Sequence, residues 1–284
     1  ERLLIIGSVK NHRERERGIL VYPVYSRRSN GLSMGINLYP DDKHCSFDCP
    51  YCEVFPFKTD YTFSLEQMEA DLRQELSRMI QLNVPVKDIC FSGNGEPSIS
   101  PNFSKALNAA SLIRDKMAPE AEMVVITNGT GLLSPGIFSV LCQAANGAMR
   151  LKIWLKLDAG TPEWYTEMNR SSTPYQSLID KIKEFVSLAP VSIQTMLCSV
   201  NGKEPIPEEV SAWEKLVLEL TRIGMAANPN KGNVRDIQIY GKARPAPEDP
   251  LAEALPQDYL DTRKASLEKA IAGAGLALLI QTFP

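Results

Sequence analysis

Histidine is almost missing from this chain: His12 and His44 are the only two among 284 residues. A structural zinc site usually draws its remaining ligands from a second Cys or His pair, and neither histidine belongs to one. Long apolar runs are missing too. None reaches the roughly 18 residues that span a membrane, and the opening Glu1-Arg-Leu-Leu-Ile-Ile-Gly is too short and wrongly flanked for a secretory signal. No membrane association and a cytoplasmic location are therefore expected. Nor is there an excess of positive charge. The 31 Lys and Arg against 34 Asp and Glu leave a formal net charge of -3, without the basic footprint of a protein that grips a long polyanion. The sequence has no internal repeat and no low-complexity tract. What remains is 44% hydrophobic and 23% charged, ordinary for a soluble globular chain with a large core.

Cysteine is scarce but concentrated. Three of the six cysteines fall within eight residues, Cys45-Ser-Phe-Asp-Cys49-Pro-Tyr-Cys52, and so closely spaced a pair rarely reaches good disulfide geometry. Reduced thiols at ligand spacing also fit a reducing compartment. Zinc would want a fourth protein ligand, so an iron-sulfur cluster is the favoured reading and zinc the alternative. Four-iron clusters normally take four cysteines; three leave one iron open to a substrate or cofactor. Cys90, Cys142 and Cys198 lie far apart on separate elements and read as core residues. The C-x3-C-x2-C spacing, with Tyr51 before the last cysteine, resembles the cluster loop of the radical S-adenosylmethionine (SAM) enzymes. That resemblance implies a 4Fe-4S cluster on Cys45, Cys49 and Cys52, with SAM on the open iron and Tyr51 against adenine.

From about residue 31 the chain alternates strand and helix patterns. Strands are predicted over Ser33 to Leu38, Val86 to Ser92, Met123 to Thr127, Leu151 to Asp158, Val191 to Leu197 and Val234 to Tyr240, with an extra one over Leu276 to Gln281. A helix after Ser64 opens with a Ser-x-x-Gln capping box to Gln67. Leu65, Met68, Leu72, Leu76, Met79 and Ile80 follow as its apolar stripe. Further helices are predicted over Phe103 to Met117, Pro135 to Ala145, Tyr175 to Val186, Pro207 to Arg222 and Asp258 to Ala272. Six such units require a mostly parallel sheet. A closed barrel needs eight, so the fold class expected is α/β, a partial (β/α)6 TIM-like barrel. The divisions expected are an extension over 1–30, the barrel over 31–245, and a helix and strand over 246–284 packed on it.

In parallel α/β sheets, the loops after the strands' C-terminal ends build the site. The cysteine loop follows the first strand. The second ends in Ser92-Gly93-Asn94-Gly95-Glu96-Pro97, where glycines permit close backbone approach and Glu96 offers a carboxylate able to take a cationic amine. In this place the turn resembles the radical SAM glycine motif, which implies that Gly93, Asn94, Gly95 and Glu96 hold the amino group of SAM. The third strand ends in Thr127-Asn128-Gly129, and by the same resemblance Asn128 contacts the ribose. The fourth places Trp154, Lys156 and Asp158 on one face. If that face lines the interior, Lys156 and Asp158 must be paired or bound to ligand, because unpaired buried charge is very costly. They are expected to act in catalysis, with Lys156 on the SAM carboxylate and Asp158 near the ribose or substrate.

Leu157-Asp158-Ala-Gly160, Met168-Asn169-Arg170 and Gln238-Ile-Tyr-Gly-Lys-Ala-Arg244-Pro245 look like the wyosine-synthase-related group of radical SAM oxidoreductases. Two departures stand out: residues 1 to 44 carry no cysteines for a second cluster, and these 284 residues include no flavodoxin-like segment. The resemblance implies an enzyme that cleaves SAM reductively to a 5'-deoxyadenosyl radical, reduced by a flavodoxin or ferredoxin. The low net charge favours a small molecule or single nucleotide as substrate. The alternatives are a wyosine-like enzyme acting on tRNA, aided by Arg13, Arg15, Arg17, Arg27 and Arg28 folded over the barrel mouth; an activase of glycyl-radical enzymes; and an iron-sulfur electron-transfer protein.

Overall fold

The computed structural model describes residues 18–283 except 55, 245, 247 and 248. Eight strands form one sheet in strictly sequential order: β1 (Val21–Ser26), β2 (Gly31–Ile36), β3 (Val86–Phe91), β4 (Glu122–Thr127), β5 (Lys152–Lys156), β6 (Val191–Leu197), β7 (Val234–Gly241) and β8 (Leu279–Phe283). Only β1 is antiparallel to its neighbour; β2 to β8 are all parallel. The helices between them are α1 (Leu65–Gln81), α2 (Phe103–Met117), α3 (Pro135–Asn146), α4 (Pro162–Asn169), α5 (Tyr175–Val186), α6 (Pro207–Ala227) and α7 (Gln257–Gly273).

Sequential order distinguishes a barrel segment from a doubly wound sheet. Right-handed crossovers that never reverse direction put every helix on one face, so the other face is left for a site. The sheet must also curl. Arg28, in the turn between β1 and β2, hydrogen-bonds Gln194 of β6 at 2.9 Å. A flat sheet at about 4.8 Å per strand would put β2 and β6 roughly 19 Å apart, beyond an arginine's reach. The result is a half-barrel of the partial TIM type, as the alternation of elements predicted.

The main core fills the space between helices and sheet. Met68, Leu72, Leu76 and Met79 are buried along α1, and Phe91 of β3 meets Phe103 of α2 edge to face, with centroids 5.7 Å apart. Ile80, assigned to the α1 stripe by its spacing, is instead 59% exposed, because the 4-4-3 spacing from Met68 to Met79 already fills the buried face. Ser64 caps α1 by accepting from Gln67 N at 3.2 Å, while the Gln67 side chain turns to Asp71 and leaves the capping box half closed.

Two elements escape the sequence patterns. Strand β1 contains Pro23, which lowers its strand signal but is tolerated at a sheet edge. Helix α4 has only two turns; Thr161 caps it, accepting from Trp164 N at 3.2 Å, and Pro162 opens it. Helix α6 runs to Ala227, past the predicted Arg222. It continues through Gly224, where a Cβ would stand 2.9 Å from Val234 N. The last strand lies over Leu279–Phe283, not Leu276 to Gln281, and extends the sheet beside β7. Arg13, Arg15 and Arg17 lie outside the described residues.

Truncating Phe103 to Ala should lower unfolding free energy by about 3–5 kcal/mol, read from a urea titration. A loss below 1 kcal/mol would mean that the β3 to α2 packing is not as described.

Candidate functional site at the strand ends

The loop carrying Cys45, Cys49 and Cys52 follows β2 and lies across the C-terminal ends of the next strands. Its backbone is fastened first to the turn after β3. His44 N donates to Asn94 O at 3.2 Å, and Glu96 N donates to His44 O at 2.8 Å. The approach leaves no room for a side chain: a Cβ on Gly95 would stand 1.8 Å from the His44 oxygen. Gly93 has φ +126 and packs on Asn37, whose Oδ1 accepts from Asn94 N at 3.2 Å. These glycines thus have a packing reason of their own, the seating of the cysteine loop.

The loop is fastened twice more. After β4, Asn128 Nδ2 donates to Ser46 Oγ at 2.9 Å and to Cys45 Sγ at 3.7 Å, and Ser46 Oγ meets Thr130 Oγ1 at 2.5 Å. After α4, Asp48 N donates to Asn169 O at 2.9 Å, Asn169 Nδ2 donates to Cys49 Sγ at 3.6 Å, and Ser171 Oγ donates to Ser46 O at 2.8 Å. Arg170, in left-handed conformation with φ 45, ends α4 and turns the chain there.

Burial raises all three thiol pKa values. Cys45, although the most accessible of the three, is pushed up to about 12 by burial and then by Glu96. Cys49 is likewise pushed up to about 12 by burial, with Lys156 opposing. Cys52 is raised mainly by burial, with Lys43 pulling it back. A metal taken up here must displace protons.

Glu96 was expected to face an amine. Its carboxylate is buried and bonded by several of the protein's own donors. Oε1 accepts from Ser98 N at 3.0 Å, Ser98 Oγ at 2.5 Å and Thr127 Oγ1 at 2.6 Å; Oε2 accepts from Asn128 N at 2.6 Å. The reason is local, because Glu96 caps a short 3-10 turn over Pro97–Ile99, which points the side chain inward. Its pKa is raised by burial against these bonds. Asn128, expected at a ribose, has its amide oxygen held by Thr130 N and Oγ1 at 3.0 and 2.8 Å.

Lys156 and Asp158 do face the interior, and they pair. Lys156 Nζ lies 3.2 Å from Asp158 Oδ2 and donates to Tyr240 OH. Asp158 Oδ2 also accepts from Tyr51 OH and from Asn169 Nδ2 at 3.3 Å, and Oδ1 accepts from Met196 N at 2.9 Å. The Lys156 ammonium lies 5.0 Å from the centre of the Tyr51 ring and 5.1 Å from that of Tyr240. Burial presses its pKa down, but Asp158, Tyr240 and Cys49 outweigh it and the net shift is upward. Lys156 stays an ammonium. Tyr51, expected against adenine, is thereby committed to this cluster.

The concave face beyond is mixed. Cys90, Val124 and Trp154 form a small apolar patch, while Gln194 donates to Gln238 at 2.7 Å. Arg28 lies 5.3 Å from the Trp154 ring centre and 5.1 Å from that of Tyr240, so it is turned inward. Arg27 sits in the combined field of Arg244, Arg28 and Glu53. Among the ion pairs of the described residues, Lys43 faces Asp48 at 3.5 Å, Lys203 faces Glu167 at 4.0 Å and Arg244 faces Glu53 at 2.6 Å.

Comparison with solved structures bears directly on this geometry. SuiB of Streptococcus suis bound to S-adenosylmethionine superposes on 90% of this chain and 52% of its own, with a TM-score of 0.61 at 14% identity. A radical SAM methyltransferase from Sphaerobacter thermophilus matches 92% of this chain and 69% of its own at TM-score 0.60 and 11% identity. The chain has the radical SAM fold. A wyosine-type neighbour, TYW1 with a lysine-pyruvate adduct bound, matches 84% of this chain and 73% of its own at TM-score 0.53 and 14% identity. No family model matches. Among curated proteins, a UPF0026 protein of Helicobacter pylori is 28% identical over 129 residues, 43% of this chain and 39% of that one. The UPF0026 protein slr1464 of Synechocystis is 29% identical over 182 residues, 62% and 63% of the two. The chain thus spans about two-fifths of the length of the first of these relatives.

Within the radical SAM fold, the fit of a metal group rests on the donor set. Among the described residues no three thiol, imidazole or carboxylate groups are gathered tightly enough to share a single metal ion. Three thiols on one loop, with amide N–H groups from Phe47, Asn128 and Asn169 directed at two of the sulfurs, suit an iron-sulfur cluster, whose sulfurs are tuned by such bonds. Asn169, Ser46, Thr130, Tyr240 and Lys43 were not singled out by sequence reasoning; the Met168-Asn169-Arg170 resemblance came nearest.

Replacing Asp158 by Ala should destabilise the metal-free protein by about 3–5 kcal/mol, because it strands a buried ammonium. Denaturant unfolding of the metal-free form measures this, and a loss under 1 kcal/mol would contradict the buried pair.

Proposed function

We propose that this chain is a radical SAM enzyme whose Cys45, Cys49 and Cys52 hold a 4Fe-4S cluster and whose concave face takes SAM and a small substrate. The observation that carries this reading is the seating of the cysteine loop on the turns after β3 and β4 at the mouth of a radical SAM half-barrel. A cluster held by three cysteines leaves one iron for SAM, and with one electron, from a flavodoxin or ferredoxin, the pair supplies methionine and a 5'-deoxyadenosyl radical able to take hydrogen from an unactivated C–H bond.

The chain's own residues would do the rest. Lys156 has three N–H donors; Asp158 and Tyr240 use two, and the third is available for the SAM carboxylate. Asp158, with both oxygens occupied, serves to position Lys156, Tyr51 and Asn169. Trp154, Val124 and Cys90 keep water from that side of the cavity. With Glu96 engaged internally, the amino group of SAM would be left to the backbone around Gly93 to Gly95.

Charge supports a compact substrate. Among the described residues, Lys203 and Arg244 each face an acid and Arg28 is turned inward, so these three are poorly placed to neutralise phosphates along a tRNA. Cytoplasmic location belongs to the same reading. Among the described residues no helix is long and apolar enough to cross a membrane.

Anaerobic reconstitution, iron and sulfide quantification, and detection of 5'-deoxyadenosine after dithionite reduction with SAM test the proposal. A Cys45→Ala, Cys49→Ala, Cys52→Ala variant should bind no cluster, and a variant that still holds stoichiometric iron would sink the assignment. Fluorescence anisotropy at physiological salt should find only weak tRNA binding. Submicromolar affinity with a steep salt dependence would instead favour a wyosine-like substrate.

A further inference from the structure

Two of the three loop sulfurs meet a side-chain amide, each drawn from a different part of the chain. Asn128 Nδ2 serves Cys45 at 3.7 Å and Asn169 Nδ2 serves Cys49 at 3.6 Å. An amide can be placed either way round, so its neighbours must fix the orientation. Here they do. Asn128 Oδ1 accepts from both the N–H and the hydroxyl of Thr130, and Asn169 Nδ2 faces the Asp158 carboxylate, which only accepts when ionised. The NH2 groups must therefore be the ones that meet the sulfurs. Each has two hydrogens, one for sulfur and one for its second partner.

We propose that Asn128 and Asn169 are positioning residues, one amide donor for each of Cys45 and Cys49, that fix these two sulfurs and raise the one-electron reduction potential of the cluster. The inference rests on the reading that these cysteines hold a cluster. Donors directed at sulfur stabilise the more negative, reduced cluster more than the oxidised one, so removing any of them makes reduction harder. Asn169 has a second consequence, since it joins Cys49 directly to the Asp158 that holds Lys156.

The test is a mediator-equilibrated redox titration of the reconstituted protein, reduced with dithionite and followed by electron paramagnetic resonance, with iron content measured on each sample. At the wild-type midpoint, Asn128→Leu and Asn169→Leu should each lower the reduced-to-oxidised ratio about threefold or more, which is about 28 mV for a one-electron couple. Leu112→Gln, on the exposed face of α2, should leave it unchanged. If either leucine variant fails to fold, Asn128→Ser and Asn169→Ser carry the decision, since neither removes a backbone contact. Loss of the cluster from a variant that keeps its fold counts for the positioning part. Fully loaded clusters with unshifted midpoints in Asn128→Ser and Asn169→Ser overturn the inference while leaving the cluster intact. A wild-type protein that takes up no cluster overturns the underlying reading instead.

Discussion

The contact on which this site depends is the backbone crossing of His44 and Gly95. Two hydrogen bonds between the loop after β2 and the turn after β3 bring main chain against main chain, at a separation that only a glycine permits. The rest of the cysteine loop is placed from there. Its later residues reach the turns after β4 and α4 because its entry is fixed at that crossing, and Glu96, the next residue, is drawn beneath the loop to satisfy donors from Ser98, Thr127 and Asn128. A glycine-rich turn that reads as a ligand cradle is thus also a seat for another part of the chain, and its acid is a structural clamp.

A half-barrel poses a problem that a closed barrel filled with aliphatic layers does not. Its concave face is open and carries polar side chains, yet cannot leave polar groups unsatisfied. This chain answers with linked networks. Arg28, Gln194, Gln238 and Asp236 form one chain of bonds across the sheet; Tyr51, Asp158, Lys156, Tyr240 and Asn169 form another at the strand ends. Stacking of Arg28 on Trp154 and Tyr240 and of Lys156 on Tyr51 and Tyr240 supplies aromatic faces to the cations. Among the described residues Asp88 is one exception: its Oδ2 is buried without a hydrogen-bond partner, although Ser33 holds Oδ1 at 2.5 Å.

The sequence disclosed whatever depends on local pattern. The bounds of β6, α2 and α5 match those read from periodicity and capping, and the period-two run of Trp154, Lys156 and Asp158 correctly placed them on the inner face. Short or edge elements were harder: β1 carries a proline and α4 has too few turns to show a period. The direction of Glu96 was hidden because it depends on the 3-10 turn that follows. The sulfur donors were hidden for a different reason. Asn169 is 120 residues from Cys49, and no local pattern encodes which distant amide will meet which thiol.

Those separations bear on how the protein is made. The cysteine loop leans on residues 94 to 96, 128 to 130 and 169 to 171, so it gains its last support only when α4 has joined the growing sheet. Long-range contacts of this kind form late, and a chain synthesised from its N-terminus has its three thiols outside the ribosome for more than a hundred residues before that support exists. During that interval the thiols are sulfurs on an unanchored segment. Any metal delivered then would meet a loop without its donors, and would find the loop anchored only after residue 171 had emerged and docked.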